Sequence, residues 1–168
     1  MEQSFFRSSV ASPYHLSVGV ILYNEKKEIA CHYFKKLFAK DEQRDLEDFY
    51  ILMHETVEKK ESLEAAALRG LREEFDMKGE IQRFLGAQLS KFPRGSTWVE
   101  KTTVYFLAKY EGQNGNGRDA NDDESISEIQ WRPVDYLIEK MEEQGRRWER
   151  SDLNEAEILK RAKVYLEK

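Results

Sequence analysis

An α/β fold, with a mixed antiparallel-plus-parallel sheet packed between helices and further helices at the C-terminus, is what this sequence predicts. Three observations predict it. The chain alternates short β-branched runs with one strong amphipathic helix, returns to strands and then ends in helices. Its 168 residues and 40% apolar content suffice for one domain with its own core. No repeat, heptad array or proline-rich linker divides it, so residues 1–168 are expected to form a single domain in which 1–13 is a flexible leading segment.

The run HLSVGVILYN, from His15 to Asn24, is dense in β-branched and aliphatic residues. A charged EKKE turn separates it from IACHYFKK, which makes a hairpin. The charge-rich stretch KDEQRDLED, Lys40 to Asp48, is expected as a solvated loop, and FYILMH after it as a short strand. Ser62 to Met77 carries apolar residues at 63, 66, 67, 68, 71 and 75, the spacing of a helical stripe, with Ser62 as N-cap. EIQRFLGAQLSKF and KTTVYFLAKYEG then read as two strands that pair antiparallel. QNGNGRDANDDES, residues 113–125, is rich in glycine and asparagine and predicts a mobile loop. ISEIQW restores a strand and Pro133 opens a helix. The tail SDLNEAEILKRAKVYLEK predicts a last helix capped by Ser151 or Asp152, with Glu155 placed for a capping box.

Composition narrows the function. A net charge of −5 opposes a broad electrostatic grip on DNA or on an anionic membrane surface, while a local basic cluster can still hold phosphates. The single cysteine, Cys31, excludes an internal disulfide and a cysteine-rich zinc site. No run approaches the ~18 apolar residues of a membrane span. A cytoplasmic protein is expected.

Glu73 and Glu74 lie one turn after Arg69 and Gly70, so positions 70, 73 and 74 share a helix edge. Carboxylates gathered this way suit a hard divalent cation, and taken alone they equally suit a solvated face. The whole segment ETVEKKESLEAAALRGLREEFDM, Glu55 to Met77, resembles the Nudix box. That pattern is a glycine, five residues, a glutamate, seven residues, Arg-Glu, an aliphatic residue, any residue, Glu-Glu, any residue, a glycine and an aliphatic residue. Glu61, Arg69, Leu71, Glu73, Glu74 and Met77 fall on it without a gap. The preceding FYILM and the later ISEIQ followed by WRPVDYL agree with the family.

The resemblance implies an α/β/α sandwich and metal-assisted attack of water on a nucleoside diphosphate linked to another moiety. Mg2+ is the implied cofactor, with Mn2+ as substitute. Glu73 and Glu74 are the implied metal ligands and catalytic carboxylates, and Glu61 with Arg69 an ion pair that fixes the loop to the helix. Three positions depart from the pattern: Glu55 and Asp76 stand where the family has glycines, and Gly70 where it has a glutamate. Asp76 is the mildest, because aspartate tolerates a left-handed helix end, with Gly79 near enough to share the turn. Gly70 removes a charged ligand or base. Either the site has decayed, or Glu55 supplies the carboxylate as catalytic residue and ligand, or Glu55 has merely drifted. Glu124, in the loop before the last strand, is a further catalytic candidate. Arg94 and Lys101 are candidates for phosphates and Trp98 for stacking a base. The alternative is a catalytically impaired Nudix-fold module that binds a nucleotide or an RNA end.

Overall fold

In a computed structural model the structure describes residues 6–121 and 123–168, the side chains of 123 and 124 excepted. A sheet of seven strands forms the middle layer among the described residues. Its strands are β1 (Tyr14–Tyr23), β2 (Glu28–Ala39), β3 (Arg44–Ile51), β4 (Met53–Thr56), β5 (Met77–Arg94), β6 (Thr97–Gln113) and β7 (Glu128–Pro133). The order is β3-β2-β1-β6-β5, with β4 added to β1 and β7 to β2. β1 and β6 run parallel and the other pairs antiparallel, so the sheet is mixed as expected.

Period-two alternation on β1 feeds both faces of the sheet. Val18, Val20 and Leu22 pack with Met53, Ala66, Leu71 and Phe75 beneath helix α1 (Leu63–Gly70). Ile21 points the other way, into a core with Leu137 and Met141 of α2 (Val134–Trp148) and Leu159 of α3 (Ala156–Leu166). Helices on both faces make the α/β/α sandwich. No helix among the described residues is long and apolar enough to cross a membrane.

Four local expectations change. The Lys40–Asp48 charge run is largely strand: β3 pairs with β2, and its charges lie on a hydrated face where Lys36 meets Asp45 at 2.9 Å. Helix α1, capped as expected by Ser62 Oγ accepting from Ala65 N at 3.0 Å, passes at Leu71–Phe75 into a wider π-helical turn. Asp76 ends it at φ 55°, while Gly79 belongs to β5 opposite Tyr110 and takes no part in the turn. Glu155 does not cap α3 through its side chain, which turns inward.

The glycine-rich loop expected to be mobile is stitched to the end of the box. Arg118 Nε donates to the Glu74 carbonyl, Asp119 N to the Glu73 carbonyl at 2.8 Å, and Asn114 N to the Asp76 carbonyl at 2.7 Å. Within the expected leading segment, residues 1–5 lie outside the described residues. From residue 6 onward the chain is bonded to the sheet, with Leu16 N donating to Phe6 O at 2.8 Å and Glu100 N to Pro13 O at 2.9 Å.

Candidate functional site

A groove of about 500 Å³ opens along one edge of the sheet, between β4, the start of β1 and β6, and the chain around residues 150–155. Its floor is apolar, with Phe34 and Phe49 stacked at 4.9 Å between ring centroids. Glu55, Glu74, His15, His54, Arg94 and Lys101 are among the residues that line it.

The box end is built around Arg69. Its Nε and Nη2 donate to Glu61 Oε1 and Oε2 at 2.8 and 3.0 Å, and Nη2 also donates to the Thr56 carbonyl at 2.8 Å, tying α1 to the end of β4. Hydrogen bonds to Glu61 raise the Arg69 pKa, and the same bonds lower that of Glu61. The expected ion pair is therefore present as a two-pronged clasp. Arg69 Nη1 also lies 3.3 Å from Glu55 Oε1 and 3.3 Å from Glu73 Oε2.

Gly70 is buried where α1 crosses β4. A Cβ at this position would sit 2.6 Å from Met53 Sδ and 2.9 Å from Glu55 Cβ. Contacts that close are overpacked, and Met53 is fully buried. Both Met53 and Glu55 therefore crowd a side chain at 70. The Glu55 side chain leaves the backbone beside the spot from which a residue-70 side chain would leave.

The Glu55 carboxylate accepts from Thr56 N at 2.9 Å and faces Arg69. Burial pushes its pKa above the usual carboxylate range; Arg69 pulls against that, and Glu73 adds a further upward push. Glu73 and Glu74 do not share a free edge. The π-helical turn leaves the Glu73 side chain 42% exposed beside Arg69, whereas Glu74 is buried, its Oε2 2.8 Å from Nε2 of the fully buried His32. His32 Nδ1 in turn meets Ser127 Oγ at 2.7 Å, and Arg118 Nη2 donates to that oxygen at 2.9 Å.

These carboxylates do not fit the expected Mg2+ or Mn2+ as they stand. Such an ion takes oxygen ligands in open octahedral geometry, but Glu55 and Glu73 both face one guanidinium and Glu74 is bonded to an imidazole. Among the described residues, no group of three or more His, Cys, Asp or Glu side chains is placed to hold a metal ion.

A buried carboxylate also lines the groove. Glu155 is 1% exposed; it accepts from Leu52 N at 2.8 Å, from the Tyr105 hydroxyl and from His54 Nε2. Burial alone would raise its pKa, yet His54 and these hydrogen bonds outweigh burial and hold it below the usual range. Tyr105 is pushed well upward by burial and by Glu155. On the far side of His54, its Nδ1 lies 3.2 Å from Lys101 Nζ.

Of the residues expected from sequence, Glu55, Glu74, Arg94 and Lys101 line the groove, and Glu73 stands beside it on the Arg69 clasp. Trp98 is 56% exposed and is not part of the lining: it lies near the β5–β6 turn, opposite Pro93. The Glu124 side chain lies outside the described residues. Sequence reasoning missed His32, Arg118 and Glu155. Glu155 carried a signal, since its neighbours Leu153, Ala156, Ile158 and Leu159 are all core residues, but a carboxylate there reads as a cap.

Among curated proteins, none matches the sequence. One solved structure that is similar, a NUDIX hydrolase from Nitrosomonas europaea, shares 12% identity; the match covers 74% of this chain and 76% of that one at a TM-score of 0.54. That likeness shows the fold. The model of the NUDIX domain matches residues 13–151, most of the chain and all of the box, so this protein belongs to the Nudix family.

Proposed function

We propose that this Nudix-family chain is a pyrophosphohydrolase of nucleoside diphosphates linked to another moiety, in which Glu55 has taken over the carboxylate that the family places at position 70. The observation that carries this reading is the 2.9 Å between Glu55 Cβ and a Cβ placed on Gly70, which puts the two departures side by side. The base would lie along the apolar floor and the phosphates between Glu55 and the cationic end. Glu55 would take a proton from water as the water oxygen bonds to phosphorus and the bridging P–O bond breaks, its electron pair leaving with the departing phosphate. A carboxyl raised by burial suits this role, because a base works best with a pKa nearer the working pH. Lys101 and Arg94 would offset the charge on the phosphates. No step is routed through a metal ion, because the described carboxylates do not fit one.

The test is release of monophosphate from a panel of nucleoside diphosphate derivatives and dinucleoside polyphosphates, with magnesium, with manganese and with chelator. Glu55→Gln is expected to lower turnover by about 10²–10⁴-fold, the worth of a general base, with the melting temperature unchanged. Equal turnover in Glu55→Gln removes the assignment.

A second reading is favoured by Arg69 facing both Glu55 and Glu73 and by His32 holding Glu74. On it, the chain is a catalytically impaired module that binds a nucleotide or an RNA end. Nucleotide binding without turnover under every metal condition would establish that reading in place of the first.

A further inference from the structure

We propose that the part of the groove beside Lys101 is a subsite for the outermost phosphate of the ligand, formed by Lys101, Arg94 and His15 and braced from behind by His54 and Glu155. This deepens the proposed function, on which it rests for the ligand class, but it is built from residues outside the box.

Three strands bring the subsite together. The parallel ladder of β1 and β6 sets His15 opposite Lys101, and the antiparallel β4 lays His54 against the same strand β1, opposite Gly19. A lysine ammonium has only donors, so its contact with His54 Nδ1 makes that nitrogen the acceptor. The ring proton then sits on Nε2, where it is donated to Glu155. The result is a line from a buried carboxylate through an imidazole to an ammonium. It restrains the flexible lysine stem before any ligand arrives, and ordering a side chain in advance lowers the entropic cost of binding.

The opposite wall is organised as tightly. Ser8 N approaches His15 Nδ1 at 3.4 Å, and His15 Nε2 lies 3.2 Å from Thr56 Oγ1. Arg94 Nη1 donates to Ser8 O at 3.0 Å and Ser8 Oγ at 2.7 Å, so the leading segment draws this guanidinium to the groove. The field these groups make is positive on balance. Burial first, and then Lys101, Arg7, Arg94 and His54, push the His15 pKa down to about 4. His15 is thus neutral, while Lys101 and the Arg94 guanidinium bring two cations to this wall, and the bound group that matches them with most negative charge in least volume is a terminal phosphoryl.

The probe is inorganic pyrophosphate, titrated into the full chain by calorimetry in chelator. Lys101→Gln and Arg94→Gln are each expected to weaken binding about tenfold, the worth of one charge-assisted hydrogen bond. Lys91→Gln, an exposed lysine on the same hairpin, is expected to leave it unchanged. His54→Gln is expected to weaken binding in the native background and to have no further effect in Lys101→Gln, since His54 acts through the lysine; a merely structural histidine would weaken both alike. Unchanged affinity in Lys101→Gln and Arg94→Gln overturns the subsite, as does an equal loss in Lys91→Gln. Failure of the hydrolase reading looks different. Lys101-dependent pyrophosphate binding without turnover keeps the subsite and removes the hydrolase. Turnover together with a pyrophosphate affinity indifferent to Lys101 removes the subsite alone.

Discussion

In the box glutamates 55, 61 and 73 gather around Arg69, whereas Lys101, Arg7 and Arg94 gather around His15 and the buried Glu155 reaches Lys101 through His54. The first arrangement is acidic and held together by a cation. The second is cationic and braced by an anion. Arg69 and Glu155 each bond to groups on more than one element, and this teaches that they are organisers of the residues around them. A diphosphate laid between the two arrangements would place its charge where cations prevail and its reacting phosphorus where carboxylates prevail.

The contrast breaks first at Arg69. Arg69→Met leaves like-charged carboxylates facing one another in a part-buried setting, and it is expected to cost about 3 kcal/mol of stability, as removal of one partner from such a pair does. Denaturant unfolding measures this. A cost under about 1 kcal/mol would make the clasp an ordinary surface pair.

The next effect sharpens the account of the box. Gly70→Glu alone is expected to cost about 2 kcal/mol through overpacking against Met53 and Glu55. Adding Glu55→Gly in the same chain should return the part due to Glu55 and leave the part due to Met53, whose Sδ is the nearest atom. Additive costs in this double-mutant cycle would show that the two positions are independent and that the exchange is coincidence.

The smallest effect belongs to the cationic end. His15 has its folded pKa lowered from 6.5 to about 4, so the unfolded chain binds a proton over that window that the folded chain does not. Stability is therefore expected to be full above pH 6.5 and to fall as the pH drops from 6.5 towards 4. His15→Gln should flatten this part of the pH profile. A profile unchanged by that substitution would mean that the cations around His15 do not set its charge.

Much of the box end was legible in the sequence, because its determinants are local. Ser62 caps the residue three positions on, Arg69 finds Glu61 eight positions back, and Asp76 takes the left-handed turn that its place in the pattern demands. The fold class followed from periodicity, since β1 is dense in apolar residues and its alternate residues supply both cores. What stayed hidden depends on distant partners. His32 meets Glu74 across 42 positions and His54 meets Glu155 across 101, and neither pairing leaves a mark in the residues between. β3 was hidden for another reason: an edge strand with one hydrated face carries the same charges as a loop, and only its register with β2 tells them apart. Arg118 read as a loop cation because the carbonyls it serves, those of Glu74 and Ser127, are backbone groups with no sequence signature.

The parallel ladder between β1 and β6 has a consequence for how the molecule is made. All ten residues of β1 pair with a strand that leaves the ribosome only after most of the chain has been synthesised. Along that edge β1 waits for a partner that closes a long loop, which is a slow and aggregation-prone step, while β4 on its other edge and α1 on one face follow sooner. Assembly of the groove's cationic wall is thus a late event in biogenesis, and a chaperone that shields the first strand would act on the function as much as on the fold.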